Sequence, residues 1–276
     1  MNIAIVGLGI IGGSLAKAFT EYTEHRVIGI NRTESVVKQA LDEGAIHEAG
    51  TKYSLANADV VYMCTYPKHI VSFVRENISI FKKGCIITDV CGIKSEICGE
   101  LTEICVNGGL QYVGSHPMAG KEKYSYSASE AGLFVNASYI IVPCKADKIA
   151  VDTIATLAKE IGCGTIRIAS PEEHDRMIAF TSQVPHALAC AYVMSPCCPN
   201  HNGFSAGSYR DVSRVAAINE NLWTDLFLSN SKPLSEELSV LIDNITNIKN
   251  AVDSGDADIL RELLKKSRLI KQGLGE

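Results

Sequence analysis

The stretch NIAIVGLGIIGG at residues 2–13 restricts the architecture more than any other part of the chain. A strand-forming run leads directly into Gly7, Gly9 and Gly12, a G-x-G-x-x-G spacing, and an amphipathic segment, SLAKAFTEY, follows. Each glycine has a physical reason. Gly7 permits a tight turn out of the strand, Gly9 lets backbone approach a pyrophosphate, and Gly12 lets a helix pack closely on the sheet. The helix that starts there offers unpaired N–H groups and partial positive charge to phosphates. With a strand before and a helix after, residues Gly7, Leu8, Gly9, Ile10, Ile11 and Gly12 read as a dinucleotide-binding turn.

The rest of the first half agrees. RVIGI (26–30), DVVYMC (59–64), CIITDV (85–90), LQYVG (110–114) and SYIIVP (138–143) are rich in Val and Ile without strict alternation, as strands buried on both faces should be. Amphipathic segments such as KHIVSFVRENISIF separate them. This order predicts an α/β fold with a doubly wound, Rossmann-type, mostly parallel sheet. TIRIA (165–169) adds one more strand, and helical periodicity then takes over. Ser170-Pro171-Glu172-Glu173 supplies an N-cap, a first-turn proline and a capping-box glutamate. The helix it opens runs through HDRMIAFTSQVPHALACAYVM, with a kink expected at Pro185. Pro233 opens a second long helix and Asp256 caps a last one. The chain is therefore read as a dinucleotide-binding domain, 1–169, and an all-α domain, 170–276, that carries substrate contacts. Helices over 233–272 hold more apolar surface than a small domain can hide, so a homodimer through them is expected.

Composition excludes several functions. A net charge of −5 argues against nucleic acid or an anionic membrane as the main partner. No apolar run reaches the roughly 20 residues that span a bilayer, and the apolar N-terminus lacks the basic start of a signal peptide. The 10 cysteines form no CxxC pair and, with the histidines, no ligand-spaced group, so reduced thiols in a cytoplasmic protein and no metal are expected.

Two short segments carry the chemistry. Where an NAD-binding fold ends its second strand in a carboxylate for the ribose hydroxyl, this chain has Asn31-Arg32-Thr33. An arginine with amide and hydroxyl neighbours suits a 2′-phosphate, which favours NADP; NAD held through Asn31, with Arg32 stacked or solvated, stays open. Thr65, directly after the strand candidate 59–64, is counted with the cofactor residues. The second segment is GSHPMAGKE at 114–122, read as a turn that leaves the strand 110–114 and displays His116 at the carboxyl edge of the sheet, where ligands of such folds bind. Beside a nicotinamide, a displayed imidazole suits a base toward a hydroxyl whose carbon loses a hydride.

GLGIIGGS, GSHPMAGKE, His174-Asp175 and the later YRDVSRVA, in this order and spacing from residue 1 to about 230, together resemble the prephenate and arogenate dehydrogenases of tyrosine biosynthesis. The resemblance implies NAD(P)-dependent oxidative decarboxylation of prephenate to 4-hydroxyphenylpyruvate, or of arogenate to tyrosine. It implies that His116 hydrogen-bonds the ring hydroxyl and takes its proton, that Glu122 helps close the active-site entrance, and that Arg214 holds a substrate carboxylate. Bidentate binding makes arginine well suited to that task. His186 matches a substrate-side histidine, and Trp223 falls where the family places an aromatic residue near the site. Two positions depart from the family. Gln183 stands where a second histidine is common, and Gly92 in DVCGIK (89–94) stands where the family has a serine that aligns substrate and nicotinamide. Ser95 is the candidate substitute hydroxyl. Other readings are a dehydrogenase of the β-hydroxyacid or imine-reductase type, which HPMAG argues against, and a nucleotide-sensing protein without catalysis, which His116 and Arg214 oppose.

Overall fold

The computed structural model describes residues 1–121 and 125–275. Its strands are β1 (Asn2–Val6), β2 (Arg26–Ile30), β3 (Glu48–Ala49), β4 (Val60–Met63), β5 (Ile86–Asp89), β6 (Gln111–Pro117), β7 (Ser138–Val142) and β8 (Thr165–Ile168). They form one sheet in the order β3-β2-β1-β4-β5-β6-β7-β8. Each pairing is parallel except β6 with β7.

Helices cover both faces: α1 (Ile10–Tyr22), α2 (Glu34–Asp42), α3 (Pro67–Asn77), α4 (Ser95–Asn107) and α5 (Lys148–Glu160). Strand periodicity divides the core between them. Ile3 and Ile5 of β1 pack with Leu15 and Phe19 of α1 and Ile154 and Leu157 of α5. Ala4 and Val6 pack on the other face with Ile70 and Val74 of α3 and Ile97 and Leu101 of α4. Burial on both faces explains why these strands show no clean alternation.

Two strands differ from the sequence expectation. The edge strand β3 has only two residues, too short to leave a hydrophobic run. More consequentially, β6 continues to Pro117, so His116 lies within a strand rather than in a turn beyond it. Gln111–Val113 pair with β5, and Gly114–Pro117 pair antiparallel with Tyr139–Val142 of β7. The reversed β7 thus supplies a partner for the segment that glycine and proline made look like a turn.

After β8 the chain is helical: α6 (Pro171–Ile178), α7 (Val184–Val193), α8 (Gly207–Ser213), α9 (Glu220–Ser229), α10 (Ser231–Ser254) and α11 (Ala257–Gly273). Ser170 caps α6 as expected, its Oγ accepting from the Glu173 amide at 3.1 Å. In place of a simple kink at Pro185, a wide π turn over Ala179–Gln183 joins α6 to α7. Pro185 has no N–H for the preceding turn, and widening that turn accommodates the loss. Helix α10 begins at Ser231, two residues before Pro233, and Asp256 caps α11 through the amides of Asp258 and Ile259. Val240, Ile242, Ile245 and Val252 of α10 and Ile259, Leu264 and Ile270 of α11 are exposed. Among the described residues no helix is long and apolar enough to cross a membrane.

Candidate active site

A cleft of about 560 Å³ opens between the end of the sheet and the helices, lined by Gly92 and His116 through Lys121 on one side. Gln183, His186, Arg214, Trp223 and Leu226 line the other. His116, Gly92, His186, Arg214 and Trp223, distant in sequence, therefore share one space. Glu122 lies outside the described residues.

His116 is half-buried, and its backbone pairs with Ile140. Its Nδ1 lies 2.9 Å from His174 Nε2, and His174 Nδ1 lies 2.7 Å from Asp175 Oδ1. Asp175 also accepts from the backbone amides of Lys94 at 2.8 Å and Ser95 at 2.7 Å. Lys94 is the N-cap of α4 and makes no side-chain cap bond, so a carboxylate from α6 performs that capping. Burial alone would raise the Asp175 carboxyl, but hydrogen bonds from His174, Ser95 and the Lys94 amide outweigh it and hold the group below its ordinary value. Burial, the Lys94 charge and His174 together hold the His116 imidazole well below its ordinary value. His116 is thus neutral and available as a base.

The ammonium of Lys94 is fully buried. It donates to Asp89 Oδ2 and to the Cys91 carbonyl, each at 2.6 Å. Burial works against this charge, but Asp89 outweighs it and keeps the amine above its ordinary value. Asp89 in turn accepts from the Tyr112 hydroxyl at 2.9 Å and the Cys91 amide at 2.8 Å. A buried ion pair persists only when its remaining bonds are satisfied in this way. The pair fixes the 89–94 turn that puts Gly92 beside the imidazole: a Cβ at Gly92 would stand 4.0 Å from His116 Nε2.

One expected substrate contact needs correction, and a second is tied into the helix packing. Ser95 starts α4 and lines a separate groove with Cys98 and Cys144, so it does not replace the hydroxyl missing at Gly92. Gln183 borders the cleft, but both ends of its amide are engaged elsewhere. Its Nε2 donates to the Leu226 carbonyl at 2.9 Å, and its Oε1 accepts from Asn230 at 2.7 Å. Asn230 also donates to the Asp175 carbonyl at 2.9 Å, so Gln183 and Asn230 join the helical segments at the border of the cleft. His186 stays a substrate-side candidate: its Nδ1 donates to the Ser182 carbonyl at 2.7 Å, and its ring stacks on Trp223 with centroids 3.8 Å apart. Sequence reasoning gave no role to Asp89, Lys94, His174, Asp175 or Asn230. A charged pair inside the otherwise apolar DVCGIK and the HD after a strong helix start were the available signals.

The glycine turn fits a dinucleotide. Gly7 has φ +99°, and a Cβ there would meet the Cys64 carbonyl oxygen at 2.6 Å and Thr65 Cγ2 at 2.8 Å. At Gly12 a Cβ would stand 1.9 Å from the Gly7 carbonyl oxygen, whereas Gly9 faces open space. The first turn of α1 has neither a side-chain cap nor an acidic residue, leaving its amides for an anion. Asn31 buttresses this loop, its Oδ1 accepting from the Leu8 amide at 3.0 Å, while Arg32 and Thr33 are exposed alongside.

Comparison with known proteins identifies the family. The family model described as the nucleotide-binding domain of prephenate dehydrogenase matches residues 15–167, and that described as its dimerization domain matches 170–266. The chain is 30% identical over 283 residues to prephenate dehydrogenase of Bacillus subtilis, covering 99% of this chain and 76% of that protein. It is 31% identical over 284 residues to cyclohexadienyl dehydrogenase of Zymomonas mobilis, covering 99% and 96%. The fold superimposes on prephenate dehydrogenase from A. aeolicus, a structure in complex with hydroxyphenyl propionate and NAD+, with TM-score 0.86 and 24% identity over 99% of this chain and 98% of that one. This chain belongs to the prephenate dehydrogenase family.

Proposed function

We propose that the protein catalyses the oxidative decarboxylation of prephenate to 4-hydroxyphenylpyruvate, with NADP as the preferred cofactor, and works as a homodimer through α10 and α11. The carrying observation is His116, an imidazole held in a strand at the wall of a cleft that Arg214 also lines. The glycine turn 7–12 and Thr65 would hold the dinucleotide, and the exposed Arg32 and Thr33 beside it favour a 2′-phosphate. A nicotinamide held there would supply the acceptor for the hydride on the carbon that carries the substrate hydroxyl.

The residues of the chain do the rest. Arg214 pairs with a carboxylate of the dianionic substrate and orients it, and the stacked rings of Trp223 and His186 form an aromatic wall beside it. His116 Nε2 takes the hydroxyl proton as the carbon–oxygen bond gains double-bond character. Loss of carbon dioxide then returns an electron pair to the ring, the oxygen becomes phenolic, and His116 gives the proton back. Charge balance requires that return: a dianion and an oxidised cofactor yield a monoanion, carbon dioxide and a reduced cofactor, with no net proton released. Support for the dimer comes from the exposed apolar residues of α10 and α11 and from the name of the second family model.

The test follows reduced-cofactor absorbance with prephenate and then with arogenate, which carries an amine in place of the side-chain keto group, each with NAD and NADP. Turnover of prephenate, faster with NADP, is expected. Folded protein that binds cofactor but oxidises neither substrate would remove the proposal.

A further inference from the structure

We propose that His174 and Asp175 are positioning residues for His116, a two-link chain that places the proton of His116 on Nδ1 and leaves the lone pair of Nε2 toward the cleft. Asp175 is the anchor. Its Oδ1 accepts from the Lys94 amide and its Oδ2 from the Ser95 amide, at 2.8 and 2.7 Å. An oxygen pair held by two backbone donors at a helix N-terminus is a carboxylate with no proton to give. The 2.7 Å contact between Asp175 and His174 Nδ1 therefore requires the proton to lie on His174 Nδ1. Burial and the Lys94 charge outweigh the support of Asp175 and keep His174 below its ordinary value, so it is neutral and its Nε2 carries a lone pair.

That lone pair needs a donor, and the group 2.9 Å away is His116 Nδ1. His116 is neutral as well, so a proton on Nδ1 leaves Nε2 bare. The bare nitrogen is on the side of Gly92, in the cleft wall. Turning either ring over would break the chain: a flipped His174 presents carbon to both Asp175 and His116. Its side chain is buried, which also leaves no water to take over either bond.

The kinetic consequence rests on the reaction proposed above, whereas the tautomer does not. A His116 with its proton on Nε2 could donate to a substrate hydroxyl but could not receive its proton. The anchoring matters too. A carboxylate already satisfied by two amides and His174 is a poor final proton acceptor, so the proton gained at Nε2 stays on His116 until the product oxygen reclaims it.

Protein labelled with 15N at histidine, examined through long-range nitrogen–proton couplings, reports the tautomer directly. A protonated Nδ1 and bare Nε2 on His116 are expected in the full chain. In His174→Phe the preference is lost, and kcat falls about 10- to 100-fold while KM and cofactor affinity change by less than about twofold. His174→Gln, whose amide oxygen can reach the place of the imidazole Nε2, restores part of kcat. A proton on His116 Nε2 in the unaltered protein, or an unchanged kcat in folded His174→Phe, overturns the inference. If His174→Phe does not fold, the spectrum of the unaltered chain decides. A bare Nε2 in a protein that oxidises neither prephenate nor arogenate would uphold the positioning role and remove the reaction instead.

Discussion

Replacing Asp175 by Asn tests the link between the helical segment and the sheet at one atom. The asparagine keeps one oxygen, which can still accept from His174 and the Lys94 amide, but its NH2 group faces the Ser95 amide that Asp175 Oδ2 accepts from at 2.7 Å. Two donors then oppose each other, and the negative charge at the N-terminus of α4 is gone. A donor left unsatisfied costs about 1–3 kcal/mol and the lost helix-terminus charge up to about 2, so a destabilisation of about 2–4 kcal/mol is expected after allowance for water reaching the exposed Ser95. In a chain of this size that lowers Tm by about 5–15 °C. Differential scanning calorimetry of both proteins across pH is the assay. The sign of the pH dependence follows from the depressed Asp175 carboxyl. Its stabilisation is full above its ordinary value of 3.8 and is lost as pH falls through the lower folded value, so the gap between the two proteins narrows only in acid. A loss of Tm below about 2 °C at neutral pH, or a gap that widens on acidification, would refute the capping role.

Other substitutions separate chemistry from scaffold. His116→Asn should lower kcat by about 10²- to 10⁴-fold with cofactor affinity nearly unchanged, read by initial rates and a cofactor titration. Arg214→Ala should act on KM, raising it on the order of tenfold or more with a smaller change in kcat, since its contact precedes the chemistry. Gly12→Ala puts a carbon 1.9 Å from the Gly7 carbonyl oxygen, so cofactor binding measured by calorimetry should be lost. Gln183→Leu strands the Leu226 carbonyl and the Asn230 amide and should cost about 1–3 kcal/mol in urea unfolding, with KM for prephenate unaltered.

Local signals were strong where the residues that set them lie close together in sequence. The glycine turn, the Val/Ile-rich strands and the caps at Ser170 and Asp256 were all readable because each depends on residues within a few positions of one another. What stayed hidden depends on distant partners. His116 looked like a turn residue because Gly114 and Pro117 flank it, and only the reversed β7 makes that segment a strand. The carboxylate that caps α4 comes from 80 residues downstream of Ser95, and the amide that engages Gln183 from 47 residues after it. The packing bonds of Gln183 are equally hidden, since nothing nearby in sequence reveals Asn230. The Lys94–Asp89 pair is hidden for the same reason, because its burial under Tyr112 shows only in the fold.

The pairing of β6 with β7 makes the two sides of the cleft unequal in mechanical terms. His116 is a rung of a ladder, so its position changes only if the sheet itself deforms. The facing side is assembled from separate helical segments, among them α7, α9 and the short turn at Arg214–Ala216, and the last two carry mostly half-buried or exposed side chains. Substitutions there can reshape the space around a substrate without moving the base. Sequence drift on the helical side can therefore change the shape of the cleft while the placement of His116 is inherited intact.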